Sequence, residues 1–431
     1  MSVEVTRLAN GLTVATDRMA DALSVSLGVW IGVGTRHEVP EENGVAHLLE
    51  HMLFKGTPSR SAQAIAEEIE AVGGHLNAYT GREITAYHAK VLAEDLPLGV
   101  ELIADILQNS LFETGELERE RQVVLQEIGQ AEDTPDDIIF DHFQETAFPN
   151  QGVGRPVLGR PEIVARLTRE QVAGFQARCY GADRMVLAAA GAVDHQALVA
   201  LAERHFTSLA PISAAATDRP HYRGGDYREA RDLEQVHLLL GFEGLGFLDP
   251  DYHACAAFSV AFGGGMSSRL FQELRERRGL VYSVFSFASA NADGGLFGVY
   301  AGTGEQEVGE LLPLLCAEWS KVAEEGLSEA ELARAKAQLR ASIAMGRERS
   351  ENRVEHLANQ LLIHKRPLAP EEILAKVEAV DGAAIRRVAQ RLLSSAPTLA
   401  VLGPIAEVED TQSLHARLGR QLGAADPLPA V

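Results

Sequence analysis

Two histidines and a glutamate fall within one short stretch, Gly44-Val-Ala-His47-Leu-Leu-Glu50-His51-Met-Leu-Phe54. Val45, Leu48, Leu49, Met52 and Leu53 recur there as one apolar side of a helix. On that helix His47 and His51 are i and i+4, so both imidazoles leave the same face one turn apart. Two ring nitrogens so placed can reach one ion at about 2.0–2.1 Å. Glu50 lies beside that axis, where it can hold a water without ligating the metal. The order is His-x-x-Glu-His, the inverse of the commoner His-Glu-x-x-His. Taken alone, the pattern also fits a surface helix that carries two histidines by chance.

A catalytic zinc site takes three protein ligands and a water, so two histidines leave it short. The segment Glu116-Leu-Glu-Arg-Glu120-Arg-Gln-Val-Val-Leu-Gln-Glu127-Ile reads as a helix, with Val124 and Ile128 forming an apolar stripe. Glu120 and Glu127 are two turns apart on one of its faces. Glu127 is the candidate third ligand, and Glu120 the candidate acid that orients a histidine or the water network. The competing reading is that acids on a charged helix are simply solvated. Thiolates are poor candidates. The three cysteines, Cys179, Cys255 and Cys316, are odd in number and widely spaced, as buried thiols in a reducing compartment would be.

The elements that must position these groups recur at one offset. The alternating run Leu23–Val33 and the run Val236–Phe242 begin 213 residues apart. So do Thr168, which opens a capping box with Gln171, and Asp381, which opens a similar helix. The short apolar strands at Met185–Ala190 and Thr398–Leu402 are separated by the same 213 residues. Three landmarks at one spacing point to an internal duplication. Strands and helices do not alternate strictly, which predicts an α+β fold: two homologous domains, each a mostly antiparallel sheet packed with helices. The expected boundaries are 1–207, a linker at 208–231 rich in Ala, Pro, Gly and charge, and 232–431. His51 shifted by 213 falls at Gly264, so the second half has a glycine-rich loop where the first has its histidines.

Composition excludes some classes of function. The 431 residues include 39 Lys and Arg against 61 Asp and Glu, a net charge of −22, which argues against nucleic acid and against an anionic membrane surface. No apolar run is long enough to span a membrane. The start, Met1-Ser-Val-Glu-Val-Thr-Arg-Leu, reads as a strand and not as a signal peptide, so a cytoplasmic location is the default expectation.

Together these residues resemble the pitrilysin family of metallopeptidases, particularly the branch with the mitochondrial processing peptidase and short bacterial relatives. The resemblance rests on His47-Leu-Leu-Glu50-His51 followed by Phe-Lys-Gly-Thr, and on Glu127 76 residues beyond His51. It extends through Gly73-Gly-His-Leu-Asn77-Ala78-Tyr79-Thr80-Gly-Arg82-Glu83 and through Gly263–Tyr282, nearly the whole chain. Tyr180–Met185 departs from it by lacking an expected Pro and Asn. The resemblance implies one Zn2+ per chain on His47, His51 and Glu127, with Glu50 as general base in peptide hydrolysis. It implies that Arg275 and Tyr282 contact substrate, and that the peptide adds as a strand along Asn77, Ala78 and Tyr79. In the residues themselves, Ser267 or Ser268 is expected to cap a helix that Gly279 ends. Longer members carry four such domains in one chain, so a homodimer with two composite sites is the simplest expectation. The alternatives are a non-catalytic core-type subunit, or a peptidase active only beside an unlike chain.

Overall fold

Strand β3, Ser24–Ile31, alternates as if one face met water, yet seven of its eight residues are buried. In the computed structural model, which describes residues 3–212, 217 and 219–421, the reason is a helix on each side of the sheet. The other strands of this sheet are β1 (Val3–Arg7), β2 (Thr13–Arg18), β4 (His75–Thr80), β5 (Thr85–Leu92) and β6 (Met185–Gly191). They are ordered β1-β2-β6-β3-β5-β4, antiparallel throughout except for the parallel pair β2 and β6. This sheet belongs to a compact unit made of the described residues of 1–130, 151–218 and 344–369.

One face of the sheet carries Val25, Leu27, Val29 and Ile31 into a core shared with helices Val45–Leu53, Leu96–Asn109 and Arg169–Cys179. The other face is built from Ala15, Trp30, Ala86, Val186, Ala188 and Ala190, and helix Ser350–His364 covers it with Val354, Leu357, Ala358 and Leu361. Small side chains on that face let a helix lie close. A Cβ added to Gly28 would stand 2.7 Å from the Tyr87 carbonyl oxygen. Polar ties complete the packing: the Ser26 and Ser350 hydroxyls are 2.8 Å apart, and buried Asp17 pairs with Arg353 at 3.3 Å.

The second unit takes the described residues of 131–150, 219–343 and 370–431. Its strands are β7 (Gly225–Ala230), β8 (Val236–Glu243), β9 (Val281–Ala290), β10 (Gly295–Thr303) and β11 (Thr398–Gly403), ordered β7-β11-β8-β10-β9. The order repeats β2-β6-β3-β5-β4 strand for strand, including the single parallel pair. Thr168 and Asp381 both cap their helices, accepting from Gln171 N and Ala384 N. The fold is therefore α+β and internally duplicated. An aromatic core of Phe242, Phe258, Phe262, Phe297 and Trp319 fills one side of the second sheet. On its other side Phe140 and Phe143, from helix Pro135–Ala147, meet Phe287 edge-on at 5.4 and 6.0 Å. In each unit the helix covering the second face thus comes from the other half of the sequence.

Within 208–231, read from composition as a linker, residues 225–230 form β7. It is an edge strand, half in solvent, and its polar sequence Gly-Asp-Tyr-Arg-Glu-Ala follows from that position. Of the rest of that stretch, 213–216 and 218 lie outside the described residues, as do 1–2 and 422–431. Cys255 and Cys316 are buried free thiols. None of the described helices is long and apolar enough to cross a membrane.

Candidate metal centre

The helix Val45–Leu53 turns Val45, Leu48, Leu49, Met52 and Leu53 into the core, each fully buried, which leaves His47, Glu50 and His51 on its opposite side. Its N-cap, Gly44, has φ +96°, and a Cβ there would stand 2.7 Å from Val164 Cγ2. Glycine is required on both counts. A glycine offers no side-chain cap, and Glu38 supplies one from outside the helix. Its carboxyl oxygens accept from Ala46 N at 2.9 Å, Gly44 N at 3.1 Å and Asn43 Nδ2 at 2.9 Å. Burial pushes the Glu38 carboxyl up to about 7, against the pull of those donors.

The His47 and His51 rings lie 4.8 Å apart, edge to face. Glu127 reaches them from helix Thr114–Glu132, which buries Leu117, Glu120, Val124 and Ile128. Glu127 Oε2 is 3.7 Å from His47 Nε2 and 3.6 Å from His51 Nε2. Both separations exceed hydrogen-bond length. Two ligands about 2.1 Å from one ion at a tetrahedral angle stand about 3.4 Å apart, so the gap suits a shared ion. The three residues offer ligand atoms all within 4.8 Å of one another. Two imidazole nitrogens and a carboxylate oxygen also form a donor set proper to catalytic zinc. The other nitrogen of His51, Nδ1, is 3.0 Å from Glu120 Oε2, whose second oxygen lies 2.7 Å from Lys55 Nζ. Glu120 thereby fixes the ring so that Nε2 faces Glu127.

Glu50 is held by Thr80, whose Oγ1 donates to Glu50 Oε2 at 2.5 Å. Burial raises the Glu50 carboxyl above its ordinary range; the Thr80 bond and His51 oppose the rise, and Glu127 adds to it. Thr80 ends β4, the edge strand. Asn77 and Tyr79 pair with His88 and Ala86 of β5, and Gly81 N bonds to Ile84 O at the turn, so the backbone of Ala78 faces the open edge. Its N–H is taken by Asn77 Oδ1 at 2.8 Å. The Tyr79 side chain lies on the opposite face from Thr80 and bonds to Glu355.

Arg275 and Tyr282 lie in the second unit. Arg275 sits in a π-helical stretch, Phe271–Glu276, with its guanidinium 4.9 Å from the Phe271 ring centre. Gly279, at φ +67°, ends the segment as expected, and its N–H bonds to Arg275 O. Ser268 does not cap by its side chain. Its buried hydroxyl has no partner among the described residues, and its carbonyl accepts from Gln272 N instead. Tyr282 is the second residue of β9 and is 66% exposed. Sequence reasoning passed over Glu38, Lys55 and Thr80. Only Thr80 carried a readable signal: strand parity puts it on the face of Ala78, towards the helix of Glu50.

Burial, then the neighbouring His51, holds the His47 imidazole down at about 4 from its ordinary 6.5. The ring therefore stays neutral and able to ligate at any ordinary pH. An unfolded chain takes up that proton near 6.5, whereas the folded one refuses it until about 4. The associated stability is present above 6.5 and is lost as pH falls through about 4, with a slope of at most about 1.4 kcal/mol per pH unit. Metal-free wild type should accordingly lose stability relative to His47→Gln across that window in denaturant titrations. Parallel curves would contradict this.

Comparison with known proteins supplies an independent line. Residues 13–161 match the family model described as "Insulinase (Peptidase family M16)", and 166–339 match "Peptidase M16 inactive domain". The chain is 39% identical to an uncharacterized zinc protease of Rickettsia bellii, over 93% of this chain and 97% of that one. It is 41% identical to an uncharacterized zinc protease of Mycobacterium tuberculosis, over 93% and 92% of the two chains. A mitochondrial-processing peptidase subunit beta from Lentinula edodes is 38% identical over 90% and 87%. In fold, the chain is similar to the crystal structure of a protease from Helicobacter pylori, with TM-score 0.87 at 24% identity, over 93% and 99% of the two chains.

Proposed function

This chain belongs to the M16 family of peptidases, and on that premise we propose that it is a zinc endopeptidase acting on peptides or unfolded protein segments. The observation that carries the proposal is the convergence of His47 Nε2, His51 Nε2 and Glu127 Oε2 beside the half-buried carboxyl of Glu50. His47, His51 and Glu127 would hold one zinc ion per chain. A zinc ion so held lowers the pKa of water towards about 7 and polarises a carbonyl.

Glu50 is the general base. Thr80 holds one of its oxygens and leaves the other to take a proton from the attacking water and deliver it to the leaving amine nitrogen. Its raised pKa suits both transfers better than that of an exposed carboxylate. An extended peptide would lie along the open edge of β4 and take the outward N–H and C=O of Ala78 in place of Asn77 Oδ1. Arg275 and Tyr282 would hold the substrate carbonyl from a second copy of the chain, Tyr282 donating its phenol O–H. The direct test is a peptide-library digest read by mass spectrometry. Cleavage that stops with a chelator and returns with zinc is expected; no cleavage by zinc-replete protein would sink the reading.

A homodimer makes a further demand. Glu50→Gln and Tyr282→Phe chains should each be nearly inactive as homodimers. Mixed and re-equilibrated, they should regain roughly a quarter of wild-type activity, because half the dimers then contain one intact composite site. No recovery in a preparation shown by native mass measurement to contain mixed dimers would exclude the cross-chain site. A relative named as a beta subunit favours a second reading, a peptidase active only beside an unlike chain. The solution mass of the pure protein, with its activity, separates the two.

A further inference from the structure

The peptide-docking strand β4 is an edge strand, laddered to β5 alone. Edge strands are the least restrained members of a sheet, and this one bears two duties. It presents Ala78 to an incoming chain, and through Thr80 it holds Glu50. Its rear face carries a second restraint. Tyr79 OH donates to Glu355 Oε1 at 2.9 Å and accepts from Trp30 Nε1 at 3.2 Å. Glu355 sits on helix Ser350–His364, which is seated on the sheet by Val354, Leu357, Ala358 and Leu361 and tied to it by Ser350 with Ser26 and by Glu351 with Lys90 of β5.

We propose that Glu355 is a positioning residue for the peptide-docking strand: by holding the Tyr79 hydroxyl it fixes β4 from behind. The inference rests on β4 being the strand that receives peptide. A strand's side chains alternate, so Tyr79 is anchored on one face while its neighbour Thr80 reaches Glu50 on the other. The rigid point is the helix, whose apolar side is buried against the sheet centre. The phenol bridges from that rigid point to the edge, with Trp30, 2% exposed, gripping it laterally. Release of the phenol leaves β4 unheld from behind, with its ladder to β5, the packing of Leu76 and Ala78 and the Thr80 bond to Glu50 as its remaining ties.

The test combines hydrogen exchange with steady-state kinetics on the full chain. Tyr79→Phe removes one oxygen and nothing else. It and Glu355→Ala should each speed exchange of the 75–80 amides about tenfold, the scale of one lost hydrogen bond to a carboxylate. Each should also raise the peptide KM several-fold. Mere loosening of the fold would instead lower the active fraction, and with it the apparent kcat, while leaving KM unmoved. Glu355→Gln keeps an acceptor oxygen and should restore both exchange and KM to near wild type. The double variant should be no worse than Tyr79→Phe alone, because that change already removes the contact Glu355 makes, along with the bond from Trp30. Unchanged exchange in both single variants, or additive effects in the double, would overturn the assignment. If wild type cuts no peptide, the functional reading fails, while the exchange measurement still decides whether Glu355 holds β4.

Discussion

Replacing Glu50 with glutamine is expected to slow peptide hydrolysis about 10²–10⁴-fold, the usual worth of a positioned general base, while zinc content stays that of wild type. Glutamine keeps the length and planarity of the side chain, and its amide oxygen can still accept from Thr80 Oγ1. It has no basic oxygen left to take a proton. The fold should be undisturbed, because burial already disfavours the charged form of Glu50 and a neutral amide avoids that cost. The loss should appear in kcat, with KM little changed, since Glu50 lies off the strand edge that binds peptide. Activity within threefold of wild type would remove Glu50 from the chemistry.

The second large effect concerns the ligands. His51→Ala should lose zinc and, with it, all measurable peptide cleavage. Its Nε2 faces Glu127 at 3.6 Å, and a site left with one imidazole and one carboxylate falls below the three protein ligands that zinc sites use. Glu120→Gln provides the contrast. Glu120 bonds to His51 Nδ1 at 3.0 Å, on the side of the ring away from Glu127, so its removal should weaken zinc binding by about 10–100-fold without abolishing it. Competition against a chromophoric chelator measures both. If Glu120→Gln were as damaging as His51→Ala, Glu120 would itself be a ligand, and the roles of the two glutamates would have to be exchanged.

The readable part of the site is the part governed by local arithmetic. His47 and His51 share a face because they are four residues apart, and Glu120 and Glu127 share one because they are seven apart. Both helices form where the apolar periodicity places them. The duplication was readable for the same reason, since one offset recurs in strands and caps and the strand order follows it. What sequence reasoning missed depends on which elements meet in space. Nothing local connects Tyr79 to Glu355, which lies 276 residues away, or says that Glu38 will cap a helix whose own cap residue is glycine. The alternation in β3 identifies a strand but not what covers each face, and only the arrival of helix Ser350–His364 accounts for its second buried face. β7 was hidden because an edge strand half in solvent has the composition of a loop. The π-helical winding at Phe271–Glu276, which carries Arg275, is a departure in backbone hydrogen bonding that side-chain periodicity does not encode.

His47, His51 and Glu127 are proposed to bind a catalytic zinc ion together. The most direct measurement is X-ray absorption at the zinc edge on protein loaded with one equivalent of metal. Coordination by nitrogen and oxygen only is expected, at about 2.0–2.2 Å, with the outer-shell scattering of two imidazoles. Sulfur among the ligands, a single imidazole, or failure to retain the equivalent of zinc would contradict the assignment.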